Sequence, residues 1–167
     1  MPNTYTLISS VTVGAGGAAN IEFTSIPATY TDLLVKWSGR GDNGSARDAY
    51  ISFNGTTTGF SYRSLIGNGS AASSANASNG LIGIFDGSVP TANTFSNGEF
   101  YIPNYTSSNY KSISGDSVTE NNGTAAYAYL TATLSTNTSA ITSLKLTPDS
   151  GNFVQYSTAY LYGIKNS

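Results

Sequence analysis

Apolar and polar residues alternate with a period of two through much of this chain, and no segment carries a helical period. That feature restricts the fold more than any other, because successive side chains on a strand point to opposite faces. Ile21-Glu22-Phe23-Thr24-Ser25-Ile26 begins with the alternation of a half-buried strand. Tyr50-Ile51-Ser52-Phe53 is rich in strand formers and runs into Asn54-Gly55, a hairpin-turn dipeptide. Leu33-Leu34-Val35-Lys36-Trp37 reads as a more deeply buried strand, and Phe100-Tyr101-Ile102 stops at Pro103. Tyr127 to Leu134 alternates, and Ile141 to Leu146 forms a short strand. Val154 to Ile164 is the longest candidate, with Tyr156, Tyr160 and Tyr162 on one face. Gly14 to Gly17, Gly39 to Gly44, Asn54-Gly55 and Asn121-Asn122-Gly123 mark turns. The expectation is an all-β fold, an antiparallel β-sandwich that is jelly-roll-like, with about nine or ten strands.

The 167 residues suit one domain spanning 1–167. Hydrophobic residues make up 39%, enough to build a core, while charged residues make up only 10%. The net charge is -2, and there are 12 Tyr, 7 Phe and 1 Trp, so the composition is not that of a disordered chain. Residues 67–80, Gly-Asn-Gly-Ser-Ala-Ala-Ser-Ser-Ala-Asn-Ala-Ser-Asn-Gly, contain no bulky side chain. They read as a flexible exposed loop or as an adaptable contact loop.

Composition also narrows function. The seven Lys and Arg are scattered and form no basic stripe, so no nucleic-acid partner is expected. With no cysteine, disulfides and thiolate metal sites are excluded. With no histidine, the commonest general base and the Ser-His-Asp and Cys-His arrangements are excluded. No P-loop, dinucleotide fingerprint or EF-hand loop is present, and no cofactor is expected. Met1-Pro2-Asn3-Thr4-Tyr5 lacks the basic and apolar regions of a signal peptide, and no run is long enough for a membrane span. No membrane partner is expected.

Several local patterns have a plain reading beside a functional one. Glu22, Asp32, Asp42, Asp48, Asp86, Glu99, Asp116, Glu120 and Asp149 offer carboxylates for a glycosidase pair, but spacing alone does not bring two of them together. Asp42 to Asp48 offers oxygen ligands for calcium, yet Asp and Asn are also ordinary turn residues. Arg40-Gly41-Asp42 spells an adhesion tripeptide that turn chemistry explains equally well. The Asn-x-Ser/Thr patterns at Asn54, Asn68, Asn76, Asn104, Asn122 and Asn137 follow from the Asn/Ser/Thr-rich composition.

The tyrosines are too many for one small core. Tyr127, Tyr129, Tyr156 and Tyr160 read as half-buried strand residues. Tyr62, Tyr101, Tyr105 and Tyr110 lie near strand ends or in loops, and Arg63 adjoins Tyr62. These five are the candidate partner contacts, since tyrosine buries area while keeping a polar tip.

Tyr5-Thr6-Leu7-Ile8-Ser9-Ser10-Val11-Thr12-Val13, a Gly-rich turn and Ile21 to Pro27 resemble the opening of a group of small tailed-phage proteins. Many of these come from aquatic phages, including cyanophage-like ones. Tyr101-Ile102-Pro103-Asn104-Tyr105, Ser117 to Asn122, Ile141-Thr142-Ser143-Leu144, Gly151-Asn152-Phe153 and Tyr160 to Lys165 extend the resemblance over nearly the whole chain. It implies a virion structural protein, made in the host cytoplasm and placed on the capsid surface. It would act as a decoration or cement subunit, often a homotrimer, bound to the major capsid protein. A receptor- or glycan-binding module on a fibre or tail is the alternative. A carboxylate-pair enzyme is a third reading, and the resemblance supplies no catalytic residue for it.

Overall fold

The computed structural model of the chain describes residues 4–120, 123 and 125–165. Asn121 and Asn122, read above as a turn, lie outside them, as do Met1 to Asn3. The described residues form twelve strands in two antiparallel sheets. The strands are β1 (Tyr5–Thr12), β2 (Ile21–Phe23), β3 (Asp32–Gly39), β4 (Ala46–Phe53), β5 (Phe60–Gly67) and β6 (Ala72–Ala77). They continue with β7 (Leu81–Asp86), β8 (Ser96–Ile102), β9 (Lys111–Glu120), β10 (Ala126–Ser135), β11 (Leu144–Pro148) and β12 (Thr158–Ile164). The eight-stranded sheet has the order β1-β12-β3-β8-β9-β10-β5-β6, and the four-stranded sheet β2-β11-β4-β7.

This order explains the architecture. The strands β1-β12-β3-β8 face β2-β11-β4-β7, which is the connectivity of a jelly roll. Two hairpins are added to it. β5–β6 is inserted between β4 and β7, and β9–β10 between β8 and β11. Both join the β8 edge and widen one sheet to eight strands.

The core lies between the sheets. Phe23, Ile51, Phe53, Leu144 and Leu146 come from one side, and Val35, Trp37, Phe100, Ile102 and Leu161 from the other. Phe85 stands edge-on to Trp37 with ring centroids 6.2 Å apart and packs 5.1 Å from Phe153. Such aromatic pairs add to what area burial alone supplies. A smaller cluster of Leu81, Ile84 and Tyr129 sits beneath the added hairpins, with Tyr50, Tyr62 and Ile66 against it.

Four expectations about the strands need correction: twelve strands stand where about nine or ten were expected, the strand expected from Ile141 begins only at Leu144, and two segments differ in kind or extent. Residues 67–80 are not one long loop: Ala72–Ala77 pairs with β5 through six residues as an edge strand. Asn68 shapes the short turn before it, its side-chain oxygen accepting from the backbone N–H of Ser70 and Ala71. Ladder hydrogen bonds make this strand, so small Ala and Ser residues suffice and no bulky residue announces it. The final strand is also shorter than expected. Tyr156 has a left-handed backbone, φ 72°, so it precedes the strand and is exposed, while Tyr160 and Tyr162 share the outer face.

Candidate functional site

The outer face of the larger sheet departs from ordinary patterning at β9 and β10. Most of their inward positions are small or polar, Gly115, Ser117 and Thr119, then Thr131, Thr133 and Ser135, all buried, with Ile113 and Tyr129 as the large buried exceptions. The reason is β7, an edge strand of the smaller sheet that lies close beneath them. Ile84 N–H donates to Ser117 Oγ at 2.9 Å, the Thr131 hydroxyl shares its proton between Ile82 C=O at 3.3 Å and Gly115 C=O at 3.2 Å, and Thr133 Oγ1 donates to Leu81 C=O. Hydroxyls of one sheet thus satisfy backbone groups along the edge of the other, as buried polar groups require.

The apolar residues of these strands are left pointing outward. On β10 the outward positions are Ala126, Ala128, Leu130, Ala132 and Leu134, all exposed. Val118 stands opposite Ala128 on β9, and Leu65 opposite Leu130 on β5. Leu65 and Leu130 are each 57% exposed, which makes this a genuine apolar surface and not a partly covered core. A one-residue slip of β10 would bury these leucines and expose the hydroxyls. The bond network to β7 and the inward packing of Tyr129 oppose that slip.

Two of the five predicted contact residues, Arg63 and Tyr101, present their side chains on this face, and Tyr62 adjoins them with its side chain turned inward. Tyr62, Arg63 and Tyr101 line one open depression of about 510 Å³, floored by Ser112, Ser114 and Ala132. Arg63 points outward and is the charged residue among the described lining; its Nη1 donates to its own neighbour, Tyr62 C=O, at 2.7 Å. Tyr101 forms a wall. Its hydroxyl donates to Asp32 Oδ2 at 2.7 Å, and burial followed by that bond pushes its pKa up to about 12. Tyr62 projects to the inner side and packs on Leu81, Ile84 and Tyr129, and burial raises its pKa.

The other two part company. Tyr105, expected as a contact, is fully buried in the main core with its hydroxyl donating to Pro27 C=O. The loop after Pro103 folds back against the segments that precede β3 and β11, where Tyr105 C=O accepts from Ile141 N–H, a path that local sequence does not disclose. Tyr110 is 58% exposed just before β9 and does not line the depression.

The structure also places acids that the sequence leaves scattered. Glu99 and Asp116 face each other across β8 and β9 on the outer surface. Lys36 Nζ lies 2.6 Å from Glu99 Oε2, and the Glu99 bond and charge raise the Lys36 pKa. Burial and then the Glu99 charge raise that of Asp116. Asp42 and Asp48 do not converge: Asp42 accepts from Asn152, whereas Asp48 Oδ2 accepts from the Tyr50 hydroxyl at 3.0 Å. Arg40 of the Arg-Gly-Asp tripeptide is buried and bound by four backbone carbonyls, so its guanidinium is not offered to a receptor.

Burial raises the pKa of Asp48 and Asp86 above the ordinary carboxylate value of 3.8. Their stabilising contribution is therefore fully present below the unfolded pKa and is lost as pH rises through the folded pKa. Asp42 has the opposite sign: hydrogen bonds from Asn152 lower its pKa, so its contribution disappears only as pH falls through a value below 3.8. Between neutral pH and 3.8, stability is expected to increase as pH falls through the raised folded pKa values of Asp48 and Asp86, and Asp86→Asn should flatten the increase. Thermal unfolding at constant ionic strength checks this; a melting temperature that falls steadily over that interval refutes it.

Among the described residues, no group of three or more His, Cys, Asp or Glu is placed to hold a metal ion. Among them, too, no helix is long and apolar enough to cross a membrane. No protein-family model and no curated protein matches the chain.

Proposed function

We propose that this protein is a structural subunit of a tailed-phage particle, a decoration or cement protein that stabilises the head by binding major capsid subunits and other copies of itself. The resemblance supports the virion setting and favours a trimer. The observation that carries the mode of action is the outward apolar surface of β10 and its neighbours Val118 and Leu65. Exposed contiguous apolar surface on a folded domain marks a contact site. Its setting is a jelly-roll-like sandwich, an architecture used by capsid and lectin domains, and this is an argument from fold analogy.

Particles lacking the protein are expected to release their genome at a lower temperature than complete particles. Adding purified protein back should restore the higher temperature. Identical release curves with and without it would overturn the reading. Quantitative mass spectrometry should find it at a simple fraction of the major capsid protein.

The depression beside Arg63 favours a second reading, a glycan-binding module on a fibre or tail. It offers the Tyr101 ring, the Arg63 guanidinium and the hydroxyls of Ser112 and Ser114 within one groove. A handful of copies per particle and binding on a glycan array would select this reading over the first.

A further inference from the structure

We propose that the outer face of β10 is a two-fold contact between copies of this chain, with β10 stacked on β10 and Arg63 of each copy meeting Asp116 of the other. This rests on the reading of the protein as a subunit that acts through contacts, and it specifies one of them.

The surface has the shape and size for it. From Ala126 to Leu134 the outward positions of β10 cover about 27 Å at about 3.4 Å per residue. The five strands from β8 to β6 add a width of about 24 Å at about 4.8 Å per strand. The projected area is about 650 Å², and accessible area exceeds projected area. A standard interface takes roughly 800 Å² from each partner. The middle of the patch, made of Ala, Leu and Val, carries no charge to desolvate.

Charge then selects the occupant and the axis. Arg63 is exposed on β5, paired with Ala132, and Asp116 is exposed on β9, paired with Leu130. They flank the stripe on opposite sides, and neither belongs to any of the salt bridges among the described residues. A two-fold axis running along β10 lays β5 of one copy over β9 of the other. Arg63 then faces the partner's Ser114 position, one outward step of about 6.8 Å from Asp116, within reach of an arginine side chain. The symmetry makes the same pair twice. An axis running across the strands instead lays β5 over β5 and β9 over β9, which brings like charges together, Arg63 near Arg63 and Asp116 near Asp116, and pairs no opposite charges. Facing sheets pack about 10 Å apart with strands within about 30° of each other, so the natural twist accommodates the stacking. The surface is thus complementary to itself in apolar area and in charge. An isologous pair departs from the trimer that the resemblance favours.

Analytical ultracentrifugation of the full chain tests this. The expected species has twice the 17.3 kDa mass of the chain. Leu130→Asp, at an exposed position, should keep the wild-type circular dichroism and melting curve measured at high dilution while weakening association about 100-fold or more. Arg63→Asp and Asp116→Arg should each weaken it about 10-fold, and the double swap should restore it. A monomer at tens of micromolar, a trimer, or a double swap no tighter than the single variants would overturn the proposal. Particle stability is read separately. A dimer that leaves particle stability unchanged removes the decoration reading and keeps the contact, whereas a monomer that stabilises particles does the reverse.

Discussion

Replacing Arg40 with methionine is expected to cost about 4 kcal/mol of folding stability. Arg40 leaves the end of β3 and its guanidinium donates to the carbonyls of Ser88, Pro90, Thr91 and Thr94 at 2.8–3.2 Å. These bonds tie the connection between β7 and β8 to the end of β3, alongside backbone bonds from Gly87 to Ser45 and from Val89 to Gly44. Hydrogen bonds to a charged group are worth about 1.5–3 kcal/mol each, but several of these carbonyls are only partly buried and water can replace the donor. The total is therefore well below four full bonds. Arg40→Lys should recover only part of the loss, because an ammonium cannot reproduce the planar fork that reaches separate carbonyls. Urea unfolding at neutral pH measures both variants. A methionine variant within about 1 kcal/mol of wild type would show that the loop holds itself without the clamp.

Gly98→Val is expected to destabilise the fold by about 3 kcal/mol or more. Gly98 lies on β8 directly opposite Trp37 on β3. A Cβ built there would stand 2.5 Å from the indole and 2.7 Å from the backbone oxygen of Asp116. Neither neighbour has room to withdraw. The indole is buried against Phe85, and the Asp116 backbone is held in the ladder between β8 and β10. Gly14→Ala is the control, since nothing lies within 4 Å of its added Cβ, and its effect should stay within about 0.5 kcal/mol. Thermal and urea unfolding of both variants compare the positions directly. Equal stabilities would mean that Trp37 can move at little cost.

Much of the strand framework was legible in the sequence. Leu33 to Trp37, Tyr50 to Phe53 and Phe100 to Ile102 lie within strands, and Tyr127 to Leu134 falls inside β10. Asn54 and Gly55, with φ of 51° and 75°, form the turn that the dipeptide indicates. Other elements were harder to read. β7, Leu-Ile-Gly-Ile-Phe-Asp, is buried throughout and shows no alternation. β9 alternates in burial, but its inward residues include Gly115, Ser117 and Thr119, which no hydrophobicity pattern marks as interior.

The candidate contacts divide on the same principle. Arg63 and Tyr101 reach the outer face because strand register puts them there. Tyr105 is lost to the core because its loop folds back, and tyrosine is as content buried with a hydroxyl partner as it is exposed. The apolar face of β10 was hidden for a further reason. A strand that alternates Tyr and Thr with Ala and Leu reads naturally with Leu inside, and only the neighbour beneath it decides otherwise.

By itself, then, the sequence determined an all-β sandwich, because periodicity and turn chemistry are local properties of the chain. It also determined what the protein lacks, since a chain without His or Cys has none of their chemistry. Tertiary structure alone decided which face of β9 and β10 lies inward. That choice rests on the unpaired backbone groups of β7, which residues distant in sequence must satisfy, and it leaves the leucines of β5 and β10 facing outward.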